Sequence, residues 1–255
     1  MSEIYKAPEA ELHDNVEVSD YGSLESGLAG NYQLEPTKIV KEAWKLAKGF
    51  KGVYWLALII SMVVGAIVGA ISGIFITPIE QQLLEPETIT PLQIVGQVAF
   101  QVLSTFVTLP LTAGLFMISL KHSVGSPVRA EQVVKYYDKI VPLFLTTLLM
   151  YLLIFVGLLL LVLPGIYLMV AFSLAIPLVV EKDMSPWEAL QTSRKAITHR
   201  WFSFTGLLLL LFLVMIAGVL ALFIGLVWAL PVAGLAYAIV YRNIFGVEAK
   251  TLAES

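Results

Sequence analysis

Four stretches of the chain carry no charged side chain and are long enough to cross a lipid bilayer. A membrane-spanning helix needs about 20 consecutive apolar residues. Val53–Thr77 and Pro91–Leu120 each predict one such helix, whereas Ile140–Val180 and Phe202–Tyr241 are each about twice as long as one helix requires. Hydrophobic runs of this length indicate a membrane protein rather than a soluble domain.

Each of the two longer stretches has helix-breaking residues near its middle. Leu163-Pro164-Gly165 interrupts the first of them, and the segment from Gly218 to Gly225 interrupts the second. Proline and glycine punctuate helices and favour turns. The pattern therefore predicts six spans, arranged as three helical hairpins over about 52–120, 140–180 and 202–241.

The composition agrees with this interpretation. Hydrophobic residues make up 58% of the 255 residues and charged residues only 14%, against about 25% charged in a typical soluble domain. The chain has no cysteine, which excludes disulfides and thiolate metal sites. We expect no cleaved secretory signal, because the first residues are acidic and polar.

The basic residues predict the orientation in the membrane. All 16 Lys and Arg residues fall in the N-terminal segment, the C-terminal segment or the two connections between hairpins, while the predicted outer connection Pro78–Thr90 carries Glu80, Glu85 and Glu87. Basic residues accumulate on the cytoplasmic side of a membrane. We therefore expect both termini in the cytoplasm, and a bacterial inner membrane as the location.

Residues 1–35 differ in kind from the rest. They contain eight acidic residues and one lysine, a composition typical of disordered segments. We expect a largely disordered cytoplasmic tail here, with docking to a partner as the alternative. The membrane domain then covers 36–246, and 247–255 forms a short cytoplasmic C-terminal tail.

A short two-faced helical segment opened by proline precedes each hairpin, over about 36–50, 127–140 and 186–201. Such helices lie in the membrane interface, with cations toward anionic headgroups. This predicts membrane lipids as partners. The residues expected at the interface are basic or tryptophan: Lys41, Trp44, Lys45, Lys48, Trp187, Arg194, Lys195 and Trp201.

Two helix faces within the predicted spans are unusual. The first span places a small residue at every fourth position: Ala57, Ser61, Gly65, Gly69 and Gly73. Small residues allow close helix contact in membranes. We expect the contacting helix to belong to the same chain, with a second copy as the alternative.

The second span carries a polar stripe at three- and four-residue spacing: Gln93, Gln97, Gln101, Thr105, Thr108 and Thr112. Amides in lipid are costly unless they are paired. The stripe therefore predicts either hydrogen bonds between helices or one wall of a polar passage.

Signals for chemistry are weak. His13, His122 and His199 occupy separate segments without metal-ligand spacing, and we expect each to be a surface residue. Motifs for nucleophilic or phosphate chemistry are missing from the sequence. We expect no enzymatic activity, no catalytic residues, no metal, no cofactor and no nucleic-acid partner.

Three stretches carry a resemblance to a known group of proteins: Leu163-Pro164-Gly165-Ile166-Tyr167, then Pro177 to Lys182, then Trp187 to Ala196. The tail Tyr241 to Gly246 fits the same pattern. Together they resemble poorly characterised bacterial inner-membrane proteins of the YciC-like type and the membrane domain found beside some glycerophosphodiester phosphodiesterases. The resemblance implies six spans and brings no catalytic residues.

The sequence thus predicts an all-α polytopic membrane protein of three hairpins, each preceded by a cytoplasmic interfacial helix. The favoured function is a non-enzymatic scaffold or accessory subunit that organises lipid or partner proteins, either as a homo-oligomer or with another membrane protein. The alternative is a pore or transporter for a neutral or lipidic substrate. Hairpins that turn back inside the membrane remain the minority interpretation.

Overall fold

The computed structural model describes residues 21–83 and 91–253, with the side chains of 72–83, 92 and 93 left out. These residues form ten α-helices and one 3-10 helix, Ala130–Lys139. The α-helices are α1 Leu24–Ala29, α2 Pro36–Leu83, α3 Pro91–Ser123, α4 Ile140–Leu160, α5 Val162–Ala171, α6 Ala175–Glu181, α7 Pro186–His199, α8 Trp201–Leu220, α9 Leu226–Phe245 and α10 Ala249–Ala253.

Six helical segments are long and apolar enough to cross a membrane. They comprise α2, α3, the 3-10 helix with α4, the run from α5 through α6, α8, and α9. The prediction of an all-α fold with six membrane-length helices is confirmed.

The first predicted interfacial helix is not a separate element. Helix α2 runs without a break for 48 residues, because a buried stripe continues along it from Ala43 through Phe50 to Ala57. The predicted outer connection is also shorter than expected, since α2 extends to Leu83. Glu85 and Glu87 lie outside the described residues.

The turn of the α4–α5 hairpin lies earlier in the chain than the sequence predicts. Helix α4 ends at Leu160, the extended residue Leu161 makes the turn, and α5 begins at Val162. Pro164 is therefore the third residue of a helix rather than its breaker, a place where proline is tolerated because first-turn N–H groups have no helical acceptor. The second turn, 221–225, falls where the sequence predicts it.

Residues 21–35, expected to be disordered, are partly helical and packed. Ser23 and Ser26 cap α1 reciprocally, and the Gly22 N–H donates to the Arg242 carbonyl at 3.1 Å. The Tyr32 hydroxyl donates to the Ala196 carbonyl at 2.8 Å, and burial raises the pKa of Tyr32 to about 12. Sequence composition missed this segment because its glycines and tyrosine fit surfaces that other parts of the chain provide. Residues 1–20 lie outside the described range.

The core surrounds α9 from Val232 onward. Val232, Leu235, Ala238 and Ile239 are fully buried there, and α9 packs against α1, α2, α3 and α8. Since α1 lies against the end of α9, the described N-terminal and C-terminal segments meet at the same end of the bundle.

Candidate lipid-facing surface and buried ionic cluster

Large apolar side chains cover the outside of α4, α5 and α8. Monomeric soluble proteins expose contiguous apolar patches of a few hundred Å² at most, and this surface runs along whole helices. Its most exposed members include Tyr151, Leu152, Phe155, Leu159, Met169, Leu209, Phe212, Leu213 and Leu220. Lipid is the solvent that suits such a surface, so the fold is that of a membrane-embedded protein.

Helix α2 presents its lysines and its apolar residues on different faces. Lys41, Lys45 and Lys48 are exposed, and Ala43 and Ala47 are buried in the protein. Trp44 is 48% exposed, as its predicted place at the interface requires. The lysine face with Trp44 is thus free to meet headgroups, and the alanine face holds the bundle together.

Helix α7 divides its predicted interface residues in a similar way. Trp187 is 54% exposed and Lys195 is exposed, whereas Leu190 is buried. Arg194 is half-buried and donates to Gln191 Oε1 at 2.8 Å.

Trp201 differs from the other two predicted interface tryptophans. Its Nε1 donates to the Tyr167 carbonyl at 3.3 Å, and its ring stacks on the Tyr167 ring at 6.4 Å between centroids. Trp201 therefore joins α8 to α5 while remaining partly exposed, and its place at the membrane interface stays a prediction.

The small-residue face of α2 is buried at Ala57, but at Gly65 it has room for a larger side chain. Ala57 is buried and Ser61 donates to its own helix at the Ala57 carbonyl, 2.9 Å away. A Cβ built on Gly65 or Gly69 meets nothing within 4 Å. The side chain at Gly73 lies outside the described residues. The internal-contact prediction holds at Ala57 and is wrong at Gly65, because α9, which packs on the buried end of α2, begins only at Leu226.

The polar stripe of α3 is exposed at one end. Gln97 and Gln101 are exposed, and the Gln93 side chain lies outside the described residues. Thr105 donates to the Gln101 carbonyl at 2.8 Å, Thr108 to the Ser104 carbonyl at 3.0 Å and Thr112 to the Thr108 carbonyl at 3.3 Å. The threonines therefore satisfy their hydroxyls within their own helix and not between helices, which was one of the two alternatives that the sequence left open.

An ionic cluster that the sequence analysis missed lies at the end of α9. The fully buried Glu181 carboxylate accepts from the Tyr241 hydroxyl at 2.9 Å and from the Glu248 N–H at 2.6 Å. It also pairs with Lys182 at 3.2 Å. The neighbouring Arg242 pairs with Glu42 and donates to the Ser123 carbonyl. The cluster ties α2, α3, α6 and α9 together.

The residues of this cluster lie at recognisable positions in the sequence, at the ends of charge-free runs. Glu181 is the one acid that directly follows the charge-free run Ile140–Val180, and Tyr241 and Arg242 end the last apolar stretch. Both positions belong to the stretches that carry the family resemblance. Their contact spans 60 positions, which periodicity within one element does not reveal.

A second, more exposed network holds the C-terminal helix. Asp183 accepts from Lys139 and from Lys250, and it adopts a left-handed backbone with φ 54°. The hydrogen bonds from Lys139 and Lys250 lower the pKa of Asp183 below its usual value, and the bond to Asp183 raises the pKa of Lys250. The pairing fixes α10 against the connection between α6 and α7.

The histidines make structural contacts. His122 stacks on Phe50 at 4.5 Å and its Nε2 lies 3.2 Å from the Leu46 carbonyl. It is therefore half-buried, whereas the sequence predicts a surface residue. His199 is exposed, with Nε2 3.0 Å from the Leu28 carbonyl. His13 lies outside the described residues. Within the described part of the chain, His, Asp and Glu form no group of three suited to a metal ion.

The fold and these surfaces define an α-helical, membrane-embedded protein with a wide lipid-facing surface. Comparison with models of protein families, with curated proteins and with solved structures gives no match.

Proposed function

We propose that the chain is a non-enzymatic membrane scaffold or accessory subunit that organises lipid or partner proteins. The observation that supports this most strongly is the continuous apolar surface of α4, α5 and α8. The exposed Trp44, Trp187 and α2 lysines add groups that suit a headgroup region, since tryptophan favours membrane interfaces and lysine attracts anionic lipid.

We also propose a bacterial inner membrane with both termini in the cytoplasm. The distribution of the 16 basic residues supports this orientation, as does the contact of α1 with the end of α9, which puts both ends of the described chain together. The likeness to YciC-like proteins is part of the same proposal. In its favour, two of the stretches that carry the likeness meet at Glu181 and Tyr241.

Lipid retention tests the proposed function. The protein is extracted in polymer-bounded particles of its native membrane, and native mass spectrometry counts the lipids and proteins that remain bound. A Trp44→Ala, Trp187→Ala double variant should retain fewer anionic lipids than the parent protein. The matched Trp44→Phe, Trp187→Phe variant keeps an apolar ring at each site and should retain more than the alanine variant.

Equal lipid retention by the parent protein and the alanine variant would contradict a lipid-organising role for this surface. The same spectra distinguish the two forms of the proposal. A foreign protein bound in fixed stoichiometry identifies an accessory subunit, and a homo-oligomer with lipid identifies a self-assembling scaffold.

A second candidate function is a pore or transporter for a neutral or lipidic substrate. It is favoured by Gln97 and Gln101, two exposed amides on an otherwise apolar part of α3. Reconstituted protein should then lose flux of small neutral solutes when Gln97→Leu and Gln101→Leu are introduced. Flux unchanged by both substitutions in a protein that conducts would exclude the stripe as a lining.

A further inference from the structure

We propose that the α4–α5 and α8–α9 hairpins enter the bilayer from the side on which α2 begins and turn back inside the hydrocarbon. They then act as wedges in one leaflet, while α2 and α3 alone continue across the membrane. This inference deepens the proposed lipid-organising function and rests on it. Three kinds of observation support it: the chemistry of the two turns, their backbone, and their depth.

Both turns carry strongly exposed apolar side chains. Leu161, at the first turn, is 68% exposed, and Phe223, in the second, is 67% exposed. From Leu152 to Ile166, and again from Gly206 to Leu226, the chain has no polar side chain at all. Turns that reach water are dominated by Gly, Pro, Asn, Asp and Ser. These turns therefore have the side chains of a segment that ends in lipid.

The backbone of the second turn is unusual for apolar residues and satisfies several of its N–H groups internally. Leu222 and Phe223 have φ of 55° and 65°, a region that apolar residues rarely occupy and that Gly or Asn would fill more easily. N–H groups of the turn nevertheless donate within it: Ala221 to Ala217, Phe223 to Val219, Ile224 to Ala221 and Leu226 to Phe223. Backbone in lipid must be satisfied in this internal way.

The depth of the α8–α9 hairpin follows from its contacts with α2. Helices α2 and α9 are antiparallel, since Arg242 pairs with Glu42 and Trp55 Nε1 donates to the Val227 carbonyl at 3.1 Å. Lys51 Nζ lies 4.8 Å from the centroid of the Trp228 ring. The turn therefore lies beside the beginning of the charge-free run of α2, which starts after Lys51, and not beside its end.

A length can be attached to this contact. Trp55 follows Lys51 by four residues, and the tip of the turn lies about four residues beyond Val227. At about 1.5 Å per residue, the tip lies roughly 12 Å past Lys51. The hydrocarbon core is about 30 Å thick, so the hairpin stops before the far leaflet. The ammonium of Lys51 must reach headgroups or water whichever face of the membrane is cytoplasmic.

The α4–α5 hairpin is shallow for the same kind of reason. The Tyr167 hydroxyl lies 2.6 Å from Thr198 Oγ1, and the Tyr167 carbonyl accepts from Trp201. Thr198 and Trp201 flank His199 and Arg200, both exposed. Tyr167 follows the turn at Leu161 by six residues, about 9 Å of helix. The turn thus lies within about 9 Å, measured along α5, of a contact with the connection between α7 and α8.

Helix α2 extends farther past Lys51 than the α8–α9 hairpin does. From Lys51 to its end at Leu83, α2 extends for about 48 Å, and α3 has 33 residues, about 50 Å. One leaflet would then hold all three hairpins and the other leaflet only one. A protein that is wider in one leaflet favours membrane curvature that is convex on the side of that leaflet.

Single cysteines test this placement, since the chain has none of its own. Leu161→Cys and Phe223→Cys probe the two turns, and Leu160→Cys and Ile224→Cys replace them if either variant fails to fold. Lys48→Cys marks the near side, and Glu85→Cys marks the side expected for the predicted outer connection. Each variant is reconstituted in sealed vesicles and exposed to a membrane-impermeant maleimide from one side at a time. Nitroxide labels on the same cysteines report accessibility to oxygen and to a polar nickel complex.

We expect Lys48→Cys to react from one side, Glu85→Cys from the other, and the turn cysteines from neither. The nitroxides at the turns should be accessible to oxygen and protected from the nickel complex. Labelling of a turn from the Glu85 side would show a full crossing, and labelling from the Lys48 side would show a turn in water, so either result would overturn the wedge for that hairpin. These results are independent of the lipid-retention experiment. Wedges without altered lipid retention would refute the proposed function alone, and crossing hairpins with altered retention would refute the wedge alone.

Discussion

Gly114 illustrates how one residue controls the packing of the bundle. A Cβ built at Gly114 would lie 2.1 Å from the Val133 carbonyl oxygen, because the backbone of the 3-10 helix Ala130–Lys139 rests directly on α3. At Gly65 a Cβ would meet nothing within 4 Å. The sequence pointed to glycines as sites of close helix contact and chose those of α2, but only coordinates distinguish a covered glycine from an open one.

We expect Gly114→Ala to destabilise the protein and Gly65→Ala to leave it unchanged or slightly more stable. Overpacking of a tight contact costs about 1–3 kcal/mol, whereas alanine in an open helix position gains up to about 1 kcal/mol over glycine. Reversible unfolding in mixed micelles measures both. Equal stability of the two variants would contradict the packing of Val133 on α3.

Glu181 is the residue whose removal should damage the fold most. Loss of one partner from a buried ionic contact costs about 3–5 kcal/mol, and Glu181 accepts from Tyr241 and Glu248 while pairing with Lys182. Tyr241→Phe removes a single hydrogen bond to a charged group, which is worth about 1.5–3 kcal/mol. We therefore expect Glu181→Ala to lower the free energy of unfolding more than Tyr241→Phe. The reverse order, measured in the same micelles, would show that the carboxylate is not the centre of the cluster.

Among the elements, the sequence predicted helices well and their ends less well. Apolar length together with the glycines at Gly218 and Gly225 predicted α8 and α9 with the turn between them. It did not predict that α2 is continuous past Phe50, because that continuity depends on the buried stripe that packs against α9. It also placed the α4–α5 turn at Pro164-Gly165 rather than at Leu161, since proline breaks a helix interior and is accommodated in a first turn.

The C-terminal helix α10 should detach in acid. The pKa of Asp183 is lowered in the folded protein, so its contribution to stability is present above the usual aspartate pKa of about 4. That contribution is lost as the pH falls through the lower value of the folded state. We expect hydrogen exchange of residues 247–253, corrected for the intrinsic rate, to accelerate below about pH 4.

Asp183→Asn is the matched variant for this prediction. Asparagine tolerates the left-handed backbone and removes the charge that Lys139 and Lys250 contact. It should speed exchange of 247–253 already at pH 7 and abolish the additional loss in acid. Exchange identical to that of the parent protein at both pH values would show that the ion pairs do not hold α10.

For the whole molecule, the sequence predicted a membrane protein but not its shape. Charge-free length cannot distinguish a hairpin that crosses from one that turns back, because both return to the side on which they entered. The distinction depends on two contacts between distant segments, Lys51 with Trp228 and Tyr167 with Thr198. With those contacts, a chain with six membrane-length helices becomes an asymmetric body whose wider end lies in one leaflet.

An asymmetric body of this kind should bend the membrane that contains it. The most direct measurement is the diameter of lipid vesicles, determined by electron cryo-microscopy, as the ratio of protein to lipid is raised. If the hairpins act as wedges in one leaflet, the vesicle diameter should fall as the ratio of protein to lipid rises. The diameter should fall less with a Leu161→Asp, Phe223→Asp variant, whose charged turns are driven out of the hydrocarbon, than with a Leu161→Ile, Phe223→Leu control. Vesicles that keep the diameter of protein-free vesicles at every ratio would contradict the proposal that the hairpins are wedges in one leaflet.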